Sequence, residues 1–200
     1  MAVNRISVLR KLTHAATAVV PLTGWLLSYH WALALAGLFL GVCMAVEAGR
    51  RWWPWVNRTL WRLLPTIFRE WEDRRMLGST WLALGGAAAL LCFGPEAGGL
   101  GFLFLAWGDP AAELAGKRWG RPDRAKSLAG SLGCLAACLL AAVVGSALGG
   151  LPLWVAVVGA AVATLAERWS WPPDDNVWIP VLSGLATWGV PALLSIARGG

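Results

Sequence analysis

Charged residues are scarce in this chain of 200 residues, of which Asp, Glu, Lys and Arg make up only 14%. Histidine occurs twice and tyrosine once. Soluble globular domains carry about 25% charged residues, so this composition excludes an ordinary water-soluble fold. Apolar residues replace the missing charge, since 58% of the chain is hydrophobic and its mean hydropathy is +0.59.

Cysteine is also scarce, with four residues at positions 43, 92, 134 and 138. All four lie in apolar runs, none forms a CxxC pair, and no histidine cluster accompanies them. This pattern indicates neither a zinc motif nor a disulfide framework, and we interpret the cysteines as small packing residues. The pattern GxxxxGK[ST] is missing as well, which excludes a Walker A phosphate loop.

Long apolar runs predict an all-α polytopic membrane bundle of about seven transmembrane spans, forming a single domain over residues 1–200. Most runs reach the length of about 20 residues that a helix needs to cross a bilayer. The shortest run can continue through Pro110 to Ala115 as a broken helix, which is tolerated where the backbone lines a polar cavity. The predicted spans are 14–31, 32–48, 78–95, 97–110, 126–148, 150–167 and 177–197.

Basic residues set the predicted orientation. With these spans, 16 of the 17 Lys and Arg fall on one side of the membrane, and only Arg198 does not. The positive-inside rule then places the N-terminus in the cytoplasm and the C-terminus outside. All acidic residues except Glu96 fall on the same side, so the active site is expected to face the cytoplasm. We expect an integral protein of the inner membrane of a prokaryote, surrounded by membrane lipids and without a nucleic-acid partner.

The segment 52–70 is too polar to span the bilayer. Its aromatic and aliphatic residues alternate with arginines, which is typical of an amphipathic helix lying in the membrane interface. Pro54 and Pro65 should bound or kink it. Such a helix is either a plain surface anchor or one wall of a slot through which a lipid headgroup reaches the active site.

The segment from Gly108 to Gly120 combines a carboxylate, glycines and basic residues between two apolar runs. Asp109, unpaired near membrane depth, would cost about 2.5–3.5 kcal/mol, so a cation is its expected partner. Mg²⁺ (or Mn²⁺) binds in this way, through one or two carboxylates and phosphate oxygens. Gly108, Gly116, Gly120 and Gly130 would let the backbone approach phosphates, and Lys126, Ser127 and Ser131 lie where the start of a helix favours anions.

Further polar residues precede or follow other spans on the same side. Lys11 and His14 share a helix face because they are three residues apart. Glu47 and Arg50 have the same spacing and can form an ion pair, either structural or functional. Glu72 stands in a segment of mixed charge, which is either part of a functional cluster or a solvated turn. Asp175 and Asn176 either complete a metal or nucleotide site or cap the last helix.

These motifs together resemble the CTP-dependent lipid kinases, a group that includes dolichol kinase, phytol kinase and CTP-dependent diacylglycerol kinase, related to membrane enzymes similar to CDP-diacylglycerol synthase. The resemblance rests on RKLTH at residues 10–14, the GDPAAELAGKRWGR and KSLAGS motifs, and DNVWIP at residues 175–180. It implies a Mg-dependent phosphotransferase that uses CTP to phosphorylate a membrane lipid alcohol: a polyprenol, a phytol-like isoprenoid or diacylglycerol.

The resemblance also implies roles for particular residues. Asp109 and Asp175 would hold the metal ion, and Lys11, His14, Glu72 and Lys126 would lie near the reacting groups. Glu72, Asp175 and His14 all remain candidates for the group that positions or deprotonates the lipid hydroxyl. The residues implied in nucleotide binding are Gly108, Gly116, Lys117, Arg118, Gly120, Ser127, Gly130, Ser131 and Asn176.

Two other functions are compatible with parts of the pattern. A CTP-dependent cytidylyltransferase would use the same metal and phosphate ligands to make a CDP-lipid. A small transporter or lipid scramblase would carry polar residues at mid-span or an inverted repeat. The predicted spans are almost free of charge in their interiors, which disfavours transport.

Overall fold

The computed structural model describes residues 10–63, 70–73, 75–120, 126–169 and 171–199. These residues form helices and connecting turns without a strand, which confirms the predicted all-α class. The helices are α1 (10–16), α2 (Val19–Leu26), α3 (Tyr29–Trp52), α4 (Pro54–Leu63), α5 (Gly78–Phe93), α6 (Gly99–Trp119), α7 (Leu128–Gly149), α8 (Leu153–Trp169) and α9 (Asp175–Gly199). A 3₁₀ turn (Glu70–Asp73) precedes α5, and a π-helical turn (Gly94–Gly98) joins α5 to α6.

Four described segments are long and apolar enough to cross a membrane: Tyr29–Trp52, Gly78–Trp119, Leu128–Gly149 and Asp175–Leu194. The predicted membrane bundle is therefore confirmed. The number of seven spans stays a prediction, because α2 has 8 residues and α8 has 17. The 42-residue segment folds back on itself, with Gly86 against the ring of Phe102 and Gly98 against the backbone of Ala89.

The predicted first span at 14–31 is wrong in its boundaries. The helix is interrupted at residues 17 and 18 and again at 27 and 28. Pro21 lies in the first turn of α2 and has no N–H to donate to the carbonyl of Thr17, which favours the interruption between α1 and α2. Ser28 is extended, with φ −166° and ψ 157°, and Tyr29 begins α3 instead of forming an outer loop.

Two further helices differ from prediction. α6 passes through Pro110 without a break and ends at Trp119, so the run at 97–110 does continue, but as one unbroken helix. The interfacial helix expected over 52–70 is α4, which begins at Pro54 and extends to Leu63. Proline is favoured at this first helical position because its missing N–H has no partner there in any case. Residues 64–69 lie outside the described part of the chain, and none of the residues of α4 is buried.

Small residues pack the central helices. Along the antiparallel pair α6 and α7, a Cβ built on Gly108 would lie 2.8 Å from Sγ of Cys138, and Gly116 and Gly130 approach each other closely. Membrane helices pack closely where small residues face one another, because lipid gives no hydrophobic drive for their association. The N-terminal part of α6, residues 99–106, is wholly buried by its neighbours.

One end of the bundle collects most of the polar groups. The C-terminal ends of α3, α6 and α8 meet there with the N-terminal ends of α1, α5, α7 and α9, as the ion pairs and hydrogen bonds described below show. We call this the polar end. At the opposite end, Trp25 Nε1 donates to the carbonyl of Pro95 at 2.9 Å, and Tyr29 Oη donates to the carbonyl of Leu90 at 2.7 Å.

Candidate active site

A cavity of about 170 Å³ lies at the polar end of the bundle. Its wall is built by α1, α3, α5, α6, α9 and the segment that precedes α5. Five of the residues selected from the sequence line it: Lys11, His14, Glu72, Asp109 and Asn176. Residues that are up to 165 positions apart in the chain, from 11 to 176, therefore meet in one place.

Asp109 and His14 face each other across the cavity. The distance between Asp109 Oδ2 and His14 Nδ1 is 3.5 Å, and both side chains are mostly buried, at 17% and 14% exposure. Gly108 and Pro110, the neighbours of Asp109 on α6, are buried. The helix therefore holds this carboxylate at the boundary between the apolar core and the polar end.

Glu113 connects three basic residues one turn after Asp109. Both of its carboxylate oxygens accept hydrogen bonds from Arg10 Nη2, at 2.9 and 2.8 Å. Lys117 Nζ lies 2.5 Å and Lys11 Nζ lies 3.5 Å from Oε1. Burial lowers the pKa of Lys11, although the charge of Glu113 acts in the opposite direction. Glu113 therefore gathers positive charge beside Asp109.

Glu72 and Asn176 complete the polar wall. Glu72 is 6% exposed, and its Oε1 accepts a hydrogen bond from the backbone N–H of Gly78 at 2.8 Å. Asn176 is also 6% exposed, and its Nδ2 donates to the carbonyl of Gly78 at 3.4 Å. Asn176 lines the cavity, and its Oδ1 is buried and accepts no hydrogen bond from the described residues.

Apolar side chains line the cavity as well. Phe39 of α3, Leu82 of α5 and Leu77 line it together with Thr17. The hydroxyl of Thr17 donates to the carbonyl of His14 at 2.6 Å, which satisfies it locally. The cavity thus joins a charged side to a hydrocarbon-like side, as a site for an amphipathic molecule requires.

Lys126, Glu167 and Asp175 form a second cluster at the polar end, which we call the Lys126 cluster. Lys126 Nζ lies 2.6 Å from Glu167 Oε1 and 2.9 Å from Asp175 Oδ2. Burial alone would lower the pKa of Lys126, but the two carboxylates outweigh it and raise that pKa. Asp175, which the sequence predicted as a metal ligand, contacts Lys126 here, and its role in metal binding stays a prediction.

The remaining predicted nucleotide ligands lie outside the cavity wall. Ser127 caps α7, with its Oγ accepting from the N–H of Gly130 at 3.1 Å, and Ser131 Oγ accepts from Arg168 Nη1 at 3.3 Å. Lys117 and Arg118 are exposed. A Cβ on any of the four glycines would meet neighbouring atoms, mostly across the contact between α6 and α7, so the structure gives these residues a packing role. Contact with phosphate stays a prediction for these four glycines, which are Gly108, Gly116, Gly120 and Gly130.

Sequence reasoning missed three residues of the site. From the sequence, Glu113 is expected to be a surface partner of Lys117, which follows it by four residues. Glu113 also follows Asp109 by four residues, and this spacing places both on one helix face, towards the cavity. Arg10 belongs to the RKLTH motif, but the sequence assigns it no role of its own beyond membrane orientation or a place in that polar cluster. Glu167 has no predicted role, because its link to Asp175 through Lys126 spans 41 residues of chain.

Comparison with known proteins finds two relatives over nearly the whole chain. CTP-dependent diacylglycerol kinase 1 of Schizosaccharomyces pombe is 28% identical over 193 residues, covering 87% of this chain and 88% of the relative. Phytol kinase of Synechocystis sp. is 32% identical over 209 residues, covering 92% of this chain and 82% of the relative. No family model and no solved structure matches the chain.

Proposed function

Since the chain belongs to the CTP-dependent lipid kinase family, we propose that it transfers the γ-phosphoryl group of CTP to the hydroxyl of a membrane lipid alcohol. The observation that carries this proposal is the cavity that brings Asp109, His14, Lys11, Glu72 and Asn176 together beside an apolar wall. A phosphoryl donor needs the charged side, and a lipid acceptor needs the apolar side.

Magnesium fits the oxygen atoms that face this cavity. Within the described residues no three His, Cys, Asp or Glu side chains form a ready metal cluster. Mg²⁺ in nucleotide sites usually needs only one or two protein ligands, because phosphate oxygens and water supply the rest. Asp109 and the buried Oδ1 of Asn176 provide a carboxylate and an amide oxygen, and we assign the ion to them. When bound, it would neutralise charge on the transferring phosphoryl group.

Phosphoryl transfer joins the lipid hydroxyl oxygen to the γ-phosphorus and breaks the bond from that phosphorus to the β,γ-bridging oxygen, so that CDP leaves. The protein mainly orients the groups and stabilises developing charge, since the transition state is loose. Lys11 supplies a buried positive charge on the cavity wall. The two carboxylates fix the charge of Lys126 in place, and preorganised charge of this kind is effective in catalysis.

The hydroxyl proton of the acceptor passes to a base on the cavity wall. Glu72 and His14 both line the cavity and are suited to this role, since a base must lie within hydrogen-bond reach of the proton it accepts. Asp175, the third base considered from the sequence, is held by Lys126 at 2.9 Å. We therefore assign the base to Glu72 or His14.

The apolar wall supports a lipid acceptor that enters from the membrane. Phe39 and Leu82 contact the space where a hydrocarbon chain would lie, and lipid chains gain about 0.8 kcal/mol per buried methylene. α4 follows α3 in the chain and presents the exposed side chains of Trp55, Arg58 and Arg62, as an interfacial helix does. The polar end then faces the cytoplasm, where CTP is available.

The decisive experiment follows the label. Purified protein in mixed micelles is incubated with a polyprenol, phytol or diacylglycerol, or with the phosphate ester of one of these alcohols, and with CTP labelled at either the γ- or the α-phosphorus. A kinase moves the γ-label to lipid and leaves the α-label in CDP. Transfer of the α-label to lipid, with release of pyrophosphate, would instead establish a cytidylyltransferase and overturn the proposal.

A further inference from the structure

Arg50 is a buried arginine whose contacts reach the segment in front of α5. It lies in the last turn of α3, is 6% exposed, and forms a two-point ion pair with Glu47, with Nη2 2.8 Å from Oε1 and Nε 3.1 Å from Oε2. Two-point guanidinium–carboxylate pairs fix both partners in direction as well as distance. Burial of an ion pair is costly unless further hydrogen bonds satisfy its remaining atoms.

Backbone carbonyls provide those further hydrogen bonds. Arg50 Nη1 donates to the carbonyl of Glu72 at 2.9 Å and to that of Asp73 at 3.3 Å, and Nη2 donates to the carbonyl of Arg75. On the other side of the pair, Glu47 Oε2 accepts from the N–H of Leu77 at 3.2 Å. One ion pair on α3 therefore holds four backbone groups between residues 72 and 77.

The held segment carries part of the cavity wall. Glu72, Leu77, Gly78 and Ser79 all line the cavity. Glu72 also closes the segment on itself, because its carboxylate accepts from the N–H of Gly78. The position of the Glu72 carboxylate therefore depends on a turn whose carbonyls are bound by Arg50.

We propose that Arg50 and Glu47 form a positioning clamp that sets the Glu72 carboxylate for the phosphoryl-transfer step. This inference rests on the proposed kinase function and goes beyond it, because neither residue lines the cavity. The clamp acts on Glu72, one of the two side chains assigned to the proton acceptor, and not on CTP. Its loss should thus lower kcat while leaving the KM for CTP nearly unchanged.

The first test compares Arg50→Lys with Arg51→Lys. Lysine keeps the charge at position 50 but cannot bind the carboxylate and three carbonyls together. We expect kcat to fall about 10–100-fold, because a small misplacement of a reacting group has an effect of this size. The KM for CTP should stay within about twofold of the wild-type value. Arg51 is the matched control: it is the next residue, its side chain is 54% exposed, and it contacts only Glu47 among the atoms discussed. An equal effect in both variants would overturn the proposal.

The second test distinguishes positioning from simple stabilisation. If Arg50 acts through Glu72, then Arg50→Lys should cause no further loss of kcat in a Glu72→Gln background, since residues acting as a unit are non-additive. Full additivity of the two losses would contradict the clamp. A wild-type rate in Glu72→Gln would contradict it as well, and leave the kinase function intact, because the γ-label experiment measures that function independently.

The exchanged pair gives a third readout. Glu47→Arg with Arg50→Glu restores opposite charges at the same spacing, but a glutamate at position 50 cannot donate to the carbonyls of residues 72, 73 and 75. We expect no recovery of kcat, whereas recovery would show that the ion pair alone matters and would overturn the proposal. If Arg50→Lys does not fold, judged by its thermal midpoint in detergent, Glu47→Gln replaces it in the additivity test with the same expected result.

Discussion

At the scale of single residues, Asp109 is the side chain on which the proposed chemistry depends most. It faces His14 at 3.5 Å and lies one helical turn from Glu113, which carries its own set of cations. Glu113 is thus balanced by the described residues around it. Asp109 is the carboxylate best placed to hold an additional cation, because it lines the same cavity as the open amide oxygen of Asn176.

We expect Asp109→Asn to lower γ-phosphoryl transfer by about 10²–10³-fold, the range found when one preorganised electrostatic group is removed from an active site. The amide has the same size, so the thermal midpoint in detergent should change little. Rates with γ-labelled CTP check the first point, and a thermal melt checks the second.

Glu96→Gln is the control for this substitution. It removes a carboxylate from an exposed position in the π-helical turn between α5 and α6. This turn lies at the end of the bundle opposite the cavity, so the rate should not change. Wild-type activity in Asp109→Asn would remove Asp109 from the reaction.

Lys126 gives a prediction about pH. Its pKa is raised in the folded protein by Asp175 and Glu167, so the stabilisation it provides is complete below the unfolded pKa of about 10.4 and is lost as the pH rises above that value. An arginine at this position stays charged throughout. The difference in thermal midpoint between wild type and Lys126→Arg should therefore be constant from pH 7 to 10 and shift in favour of the variant above pH 10. A shift that begins near pH 8 would contradict this assignment.

At the scale of helices, the contact between α6 and α7 joins the helix that carries Asp109 to the helix that follows Lys126. Asp109 and Glu113 lie on α6, and Lys126 immediately precedes α7. Glycines on both helices allow this approach, and they belong to the same motif that suggested a phosphate site. Packing and phosphate binding make different predictions for these glycines, so substitution can separate them.

We expect Gly108→Ala to destabilise the protein by about 1–3 kcal/mol, the usual cost of overpacking. The added Cβ would lie 2.8 Å from Cys138 Sγ and 3.1 Å from Cys134 Sγ. Adding Cys138→Ala should recover part of the loss, and unfolding in detergent measures both.

Gly37→Ala is the matched control, because a Cβ on Gly37 meets no atom within 4 Å. It should leave stability unchanged or raise it slightly, since alanine is the better helix former. If Gly108→Ala with Cys138→Ala is stable but binds CTP more weakly, the predicted phosphate contact at Gly108 gains support.

The sequence predicts some elements of this fold better than others, and the reasons are physical. Five residues of the cavity wall are predictable from the sequence, and the charged ones among them, such as Asp109 and Lys11, stand out because charge in an apolar chain is costly and therefore informative. The boundary between α2 and α3 was misplaced because both flanks are equally apolar, and a continuous hydropathy run does not reveal a break of two residues. The contacts of Arg50 with three backbone carbonyls could not be predicted, since they depend on where a turn more than 20 residues later comes to lie.

At the scale of the whole molecule, the polar groups of α1, α3, α5, α6, α8 and α9 are sorted to one end, and this sorting is what the basic residues predicted. When consecutive helices run in opposite directions, the C-terminal end of one helix lies at the same end of the bundle as the N-terminal end of the next. α9 begins at the polar end with Asp175, so its C-terminus is directed to the opposite end. We therefore expect the cavity and the C-terminus to lie on opposite sides of the membrane.

Labelling of single cysteines tests this orientation. In a background with the four native cysteines replaced by alanine, a membrane-impermeant maleimide is applied to intact cells and to lysed cells. Glu96→Cys should react in intact cells, because the π-helical turn lies at the end opposite the cavity. A cysteine appended to the C-terminus should react as well, because α9 runs from the polar end towards that opposite end. Arg118→Cys, exposed at the end of α6, should react only after lysis, since CTP is supplied from the cytoplasm. If Arg118→Cys and the appended cysteine were labelled from the same side, this result would contradict an odd number of membrane crossings. A full reversal of the labelling pattern would place the cavity on the side of the membrane where no CTP reaches it.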